Sequence, residues 1–160
     1  MRLKIGIVSD SHDNLTAVDA AVEAFRAREA EVIIHAGDFV APFAVKRFLA
    51  LDVPLIAVFG NCDGEHKAIF DLLPDIVSGA RRETVGGRSF IVVHALEWLS
   101  PAERGGADVI VCGHTHNAGI SNDGPLVINP GECGGWVTGR RSAAMLDTDT
   151  MLAEIFDLDV

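Results

Sequence analysis

Hydrophobic residues in this chain come in short runs, and five of the runs end on polar residues of one narrow kind. Residues 3–8 run into Asp10 and His12, and 32–34 into Gly37 and Asp38. Residues 55–59 run into Gly60 and Asn61, 90–93 into His94, and 109–111 into Gly113, His114, Thr115 and His116. Runs this short and rich in Val and Ile predict strands buried on both faces. Ligands of open sheets bind beyond the carboxyl ends of the strands. The pattern therefore predicts Asp10, Asp38, Asn61, His12, His94, His114 and His116 along one edge of one sheet, a donor set too rich for a single ion and suited to two.

Between the first strands the pattern changes to helical spacing. Asp13 or Asn14 can cap a helix that presents Leu15, Val18, Val22 and Phe25 on one face. Arg26 and Arg28 fall in its last turn, where cations suit the helix dipole. Pro42 suits the first position of a second helix carrying Val45, Phe48 and Leu49, and Asp52-Val53-Pro54 ends it. The second half predicts hairpins. Gly86-Gly87 joins Thr84-Val85 to the run at 90–93, Asn122-Asp123-Gly124 leads into Leu126-Val127-Ile128, and residues 143–156 turn near Asp147-Thr148-Asp149. Strand–helix alternation followed by a strand-rich half predicts an α/β fold of two sheets packed face to face with helices outside.

Composition narrows the picture. At 160 residues, 49% of them hydrophobic, the chain reads as one folded domain over 1–160. No apolar stretch is long enough to span a bilayer, and no cleavable leader is read at the N-terminus. Cys62, Cys112 and Cys133 are odd in number and form no Cys-x-x-Cys pair, so the expected compartment is the cytoplasm. A formal net charge of -10 and the lack of any tyrosine argue against a nucleic-acid groove. That charge is no obstacle to a small anionic substrate, because two divalent cations would dominate the local field. Homo-oligomerisation is left open.

Taken singly, Asp-x-His, Gly-Asp and Gly-Asn are turn motifs. His94 alone reads as an ordinary half-buried histidine. Their joint occurrence, each at the end of a strand, is what points to metal. Residues two apart in an extended segment share a side, so His114 and His116 can face neighbouring ions. Gly37 lets the backbone approach whatever Asp38 binds, and the two oxygens of Asp38 suit it to bridging. The mixed Asp, His and Asn donors favour manganese, iron, zinc or nickel over calcium or magnesium alone.

Asp10-x-His12, Gly37-Asp38, Gly60-Asn61-Cys62-Asp63, His94, Gly113-His114-Thr115-His116 and Asn129-Pro130-Gly131 together resemble the calcineurin-like metallophosphoesterases. The compact length resembles the small YfcE-like bacterial and archaeal phosphodiesterases of that superfamily. The resemblance implies a four-layer sandwich of two mixed β-sheets flanked by α-helices. It implies one ion, most simply Mn(2+), on Asp10, His12, Asp38 and His116. A second ion would lie on Asp38, Asn61, His94 and His114, with Ni(2+), Fe or Zn(2+) as other occupants. The implied reaction is phosphodiester hydrolysis by a metal-bridging hydroxide, with Asp38, Asn61 and His94 at its centre and the Asn61 amide touching a phosphate oxygen.

The chain departs from the family pattern at three positions. Cys62 stands where many members have a histidine thought to protonate the leaving group, Ala95 replaces a glycine, and Glu132 follows Asn-Pro-Gly in place of serine. Phosphomonoesterase activity is the competing substrate reading. A non-catalytic scaffold, like the retromer subunit of this fold, is the competing class, and the complete ligand set argues for the enzyme. Outside the motif, His35 is read either as a support for the ligands or as a buried histidine bonded to backbone. His66 is read as surface, Trp98 as core in preference to a lid, and Arg140 and Arg141 as solvated in preference to phosphate-binding.

Overall fold

The computed structural model describes residues 2–160. Strands β1 (Lys4–Val8), β2 (Val32–His35) and β3 (Leu55–Ala57) run parallel, linked by helices α1 (Leu15–Ala27) and α2 (Pro42–Leu49). Helix α3 (His66–Leu72) then leads to β4 (Arg81–Val85), which forms a hairpin with β5 (Arg88–Val92). Both hairpin glycines have positive φ, 58° at Gly86 and 78° at Gly87, as a two-residue primed turn requires. A single 3-10 turn (Leu96–Trp98) and the short α4 (Pro101–Arg104) precede β6 (Val109–Val111). Strands β7 (Gly119–Ser121), β8 (Leu126–Asn129), β9 (Ser142–Asp147) and β10 (Ala153–Asp157) complete the fold.

These strands form two mixed five-stranded sheets, in the orders β10-β9-β1-β2-β3 and β4-β5-β6-β8-β7. The final hairpin does not extend the second sheet. It returns to the first, with β9 antiparallel to β1. Alternation along the strands explains the layering. Ile5, Ile7, Val32 and Ile34 face Phe90, Val92, Val109, Val111 and Ile128 in a core between the sheets. The opposite face, with Val8 and Ile33, packs on Val18, Phe25, Val45, Phe48 and Ile69 of α1–α3. Ile91, Val93, Ile110 and Cys112 form a smaller core on the outside of the second sheet with Leu99. Both faces of the inner strands are thus buried, which is why their sequences read as continuous apolar runs. Each such side chain contributes about 1.5–3 kcal/mol on burial.

Gly6 shows how closely the layers approach. A Cβ there would lie 2.7 Å from Phe25 Cδ1 and from Ile33 Cδ1, so any larger residue would push α1 off the sheet. The helix itself starts as its sequence predicts, with the Asn14 side chain accepting from the Ala17 N–H.

Candidate metal centre

The predicted ligands gather at the carboxyl ends of strands from both sheets. Asp10 and His12 follow β1, Asp38 follows β2 and Asn61 follows β3, whereas His94 follows β5 and His114 and His116 follow β6. The expectation of one edge of one sheet is corrected accordingly. The face-to-face packing brings two strand-end clusters together, one from each sheet.

The backbone pays for this arrangement in strain. Asp10 (φ 52°), His12 (42°), Asp38 (61°), His114 (67°) and His116 (61°) all adopt the left-handed region, at a cost of order 1–3 kcal/mol for each non-glycine residue. Hydrogen bonds between the loops hold them there. Asp10 N–H donates to Gly37 O (3.0 Å), His12 N–H to Asp38 O (3.0 Å) and Gly113 N–H to His94 O (2.8 Å). Gly37, at φ 98°, has Gly60 N and His94 Nδ1 where its Cβ would lie 2.8 Å from each. No side chain fits there.

The seven side chains form one continuous series of contacts. His116 Nε2 is 3.4 Å from Asp10 Oδ1, and His12 Nε2 is 3.7 Å from that same oxygen. His12 Nε2 is 3.5 Å from Asp38 Oδ2, and His94 Nε2 is 3.4 Å from it on the other side. Asn61 Oδ1 then meets His94 Nε2 at 2.8 Å and His114 Nδ1 at 2.9 Å. Ligand atoms about 2.1 Å from a shared ion lie roughly 3.0–3.5 Å apart, so the longer contacts match the edges of a coordination shell better than hydrogen bonds.

Two further observations fit a cation. Asp10 Oδ1 and His12 Nε2 are buried and have no hydrogen-bond partner among the described residues, a costly state for polar atoms unless an ion fills it. The Nδ1 of His94 lies 2.8 Å from the carbonyl oxygen of Ala36, which can only accept, so Nδ1 carries the proton. Nε2 then faces the oxygens of Asn61 and Asp38, an arrangement that needs either a second ring proton or a metal ion. Asp10, His12 and His116 form one set able to hold an ion, and Asp10, Asp38 and His94 form another.

The charges agree. Burial opposes ionisation of Asp38, yet the adjacent His94 ring, the Cys62 N–H and the nearby His12 ring hold its carboxyl down at about 2. His12 is raised by the neighbouring Asp10 carboxylate, against the effect of burial and with help from Asp38. His94 is raised by Asp38 in spite of burial. Protons and cations compete for these same lone pairs.

Several residues that the sequence left without a role support the ligands. The Asp63 carboxylate accepts the backbone N–H groups of Asp38 (3.0 Å), Val40 (2.7 Å) and Gly60 (2.6 Å). Ser9 Oγ donates to Asp10 Oδ2. Asn129 Nδ2 donates to Gly113 O and to Thr115 Oγ1, fixing the loop between His114 and His116. Asp63 and Asn129 lie inside the quoted motifs, and their place there was the only available signal.

His35 is fully buried, bonded to the Ser11 hydroxyl and accepting the Gly37 N–H, and stacked on Phe39. It supports both ligand loops. His66 is exposed and stacks on Phe59. Trp98 is not core: it is 47% exposed, its ring 5.8 Å from that of His94. Arg140 pairs with Asp157 beside a cleft of about 190 Å³ that His116 and Thr138 help to line. The Cys62 thiol is exposed, with its pKa raised by partial burial and by Asp38.

The calcineurin-like phosphoesterase superfamily domain matches residues 3–151. A phosphodiesterase of Methanocaldococcus jannaschii is 38% identical over 156 residues, spanning 92% of this chain and 94% of that one. The solved structure of an archaeal phosphodiesterase superposes with a TM-score of 0.88 at 35% identity, covering 98% of this chain and 100% of that one. The phosphoesterase YfcE of E. coli superposes with a TM-score of 0.73 over 98% of this chain and 100% of its own, at 23% identity, a likeness of fold.

Proposed function

The chain belongs to the calcineurin-like phosphoesterase superfamily, and on that premise we propose that it is a single-domain phosphodiesterase acting with two divalent cations, Mn(2+) foremost. Asp10, His12, Asp38 and His116 would hold the first cation, and Asp38, Asn61, His94 and His114 the second. The observation that carries this reading is the position of Asp38 Oδ2, 3.5 Å from His12 Nε2 and 3.4 Å from His94 Nε2. One oxygen thereby lies beside one proposed ligand of each ion. Two bound cations would acidify a water and clamp phosphate oxygens.

The protein's own groups do the rest. Asp38 Oδ1 is tied to the Cys62 N–H at 2.8 Å, which fixes the carboxylate and leaves Oδ2 to be shared. Asn61 lies between His94 and His114 and orients a phosphate oxygen with its amide. Cys62, a thiol with a raised pKa, gives the leaving oxygen little proton, so esters with acidic leaving alcohols react best. A diester carries one negative charge and a monoester two near neutral pH. Arg140, in the cleft beside His116, is already paired with Asp157, which favours the diester.

A screen of diesters, monoesters and cyclic nucleotides with Mn(2+), Ni(2+), Zn(2+) and Mg(2+) tests the reading. Diesters should turn over fastest with a transition metal. Faster monoester turnover would make the protein a monoesterase, and metal binding without any hydrolysis would favour the scaffold.

A further inference from the structure

Glu132 is fully buried, a place where a carboxylate is rare unless it is paired. Its Oε1 accepts the Val137 N–H at 2.8 Å. Its Oε2 accepts the Thr138 N–H and hydroxyl, each at 2.9 Å. These bonds account for one side of the carboxylate. On the other side Oε1 lies 3.2 Å from His116 Nδ1. That nitrogen is buried and makes no aligned hydrogen bond, and a small turn of the ring would complete one. The other nitrogen of the same ring, Nε2, points to Asp10 Oδ1 at 3.4 Å. The imidazole therefore stands between a buried carboxylate and the candidate metal position.

We propose that Glu132 is a positioning residue that holds His116 in the Nδ1–H tautomer, with Nε2 free to bind a divalent cation, while the same carboxylate fastens the loop after it. This rests on the two-metal reading. A carboxylate that receives one ring N–H fixes the tautomer, aims the ring and makes the other nitrogen a stronger ligand. Glu132 also couples the ligand to the rim. The loop it fastens carries Trp136, 67% exposed, whose indole N–H donates to His12 O.

The test uses full-length, metal-free protein labelled with nitrogen-15. At a pH high enough to keep the ring neutral, wild-type His116 should show the Nδ1–H tautomer by NMR, and Glu132→Gln should lose that preference. In calorimetric Mn(2+) titrations Glu132→Gln should weaken one of the two binding events by about 10- to 100-fold. Thr138→Val removes the hydroxyl's bonds to Glu132 Oε2 and to the Arg140 backbone but leaves Oε1 beside His116, and should alter neither readout. An Nε2–H tautomer in the wild type would overturn the proposal, and this result stands even if Glu132→Gln fails to fold. Equal losses of affinity in Glu132→Gln and Thr138→Val would also overturn it. Failure of the wild type to bind metal at all would instead overturn the proposed function.

Discussion

Replacing Asp63 with alanine removes one small side chain and three hydrogen bonds, two to the loop after β2 and one to the loop after β3. Its carboxylate receives the N–H groups of Asp38, Val40 and Gly60. Two of those donors belong to residues with left-handed backbone, Asp38 at φ 61° and Val40 at φ 74°, so the same bonds also hold strain in place. A hydrogen bond to a charged group contributes about 1.5–3 kcal/mol. Three would give roughly 4–9 kcal/mol, but water can re-solvate the partly buried Val40 and Gly60 donors and the strained loop can relax. The expected loss is about 3–5 kcal/mol, a large share of the roughly 5–15 kcal/mol that holds such a domain together. Urea unfolding of the metal-free protein should show it. With a slope near 2 kcal/mol per molar, the midpoint should fall by about 2 M. Asp63→Asn keeps one acceptor oxygen and should fall about half as far. Asp71, exposed and paired with Lys67, is the control, and Asp71→Ala should cost less than about 0.5 kcal/mol. A midpoint for Asp63→Ala within about 0.3 M of wild type would refute the reasoning.

Burial holds the His35 pKa well below its ordinary 6.5 in the folded state. Its stabilising effect is therefore complete above pH 6.5 and fades as pH falls, because only the unfolded chain takes up the proton, at about 1.4 kcal/mol per pH unit. His35→Gln should flatten the stability profile of the metal-free protein between pH 6.5 and pH 5.5, and an unchanged slope would show that His35 is not the group responsible. For Cys62, turnover against diesters of rising leaving-group pKa should fall steeply in the wild type and in Cys62→Ala and less steeply in Cys62→His. A shallow wild-type slope, or a large loss in Cys62→Ala, would assign the thiol a catalytic part.

The alternating elements and the gathering of the candidate ligands were legible because burial on both sheet faces leaves continuous apolar runs, and because the candidate residues follow those runs directly. Two elements were not. Helix α3 buries only Ile69 and exposes Phe70, so it writes no amphipathic stripe. Strand β7 is exposed at all three positions, so it writes no alternation. The division of the ligands between two sheets was hidden too, because parallel strands of either sheet read alike. The roles of Asp63 and Asn129 depend on which backbone N–H and C=O groups the loops bring near, and sequence spacing does not encode that.

The central claim is a pair of ions sharing Asp38. Protein loaded with Mn(2+) and desalted should retain about two ions per chain by elemental analysis, and its electron paramagnetic resonance spectrum should show an exchange-coupled pair. Asp38→Asn should lose the coupling, with turnover falling by several orders of magnitude. One ion per chain, or two giving the six-line spectrum of isolated Mn(2+), would contradict the account.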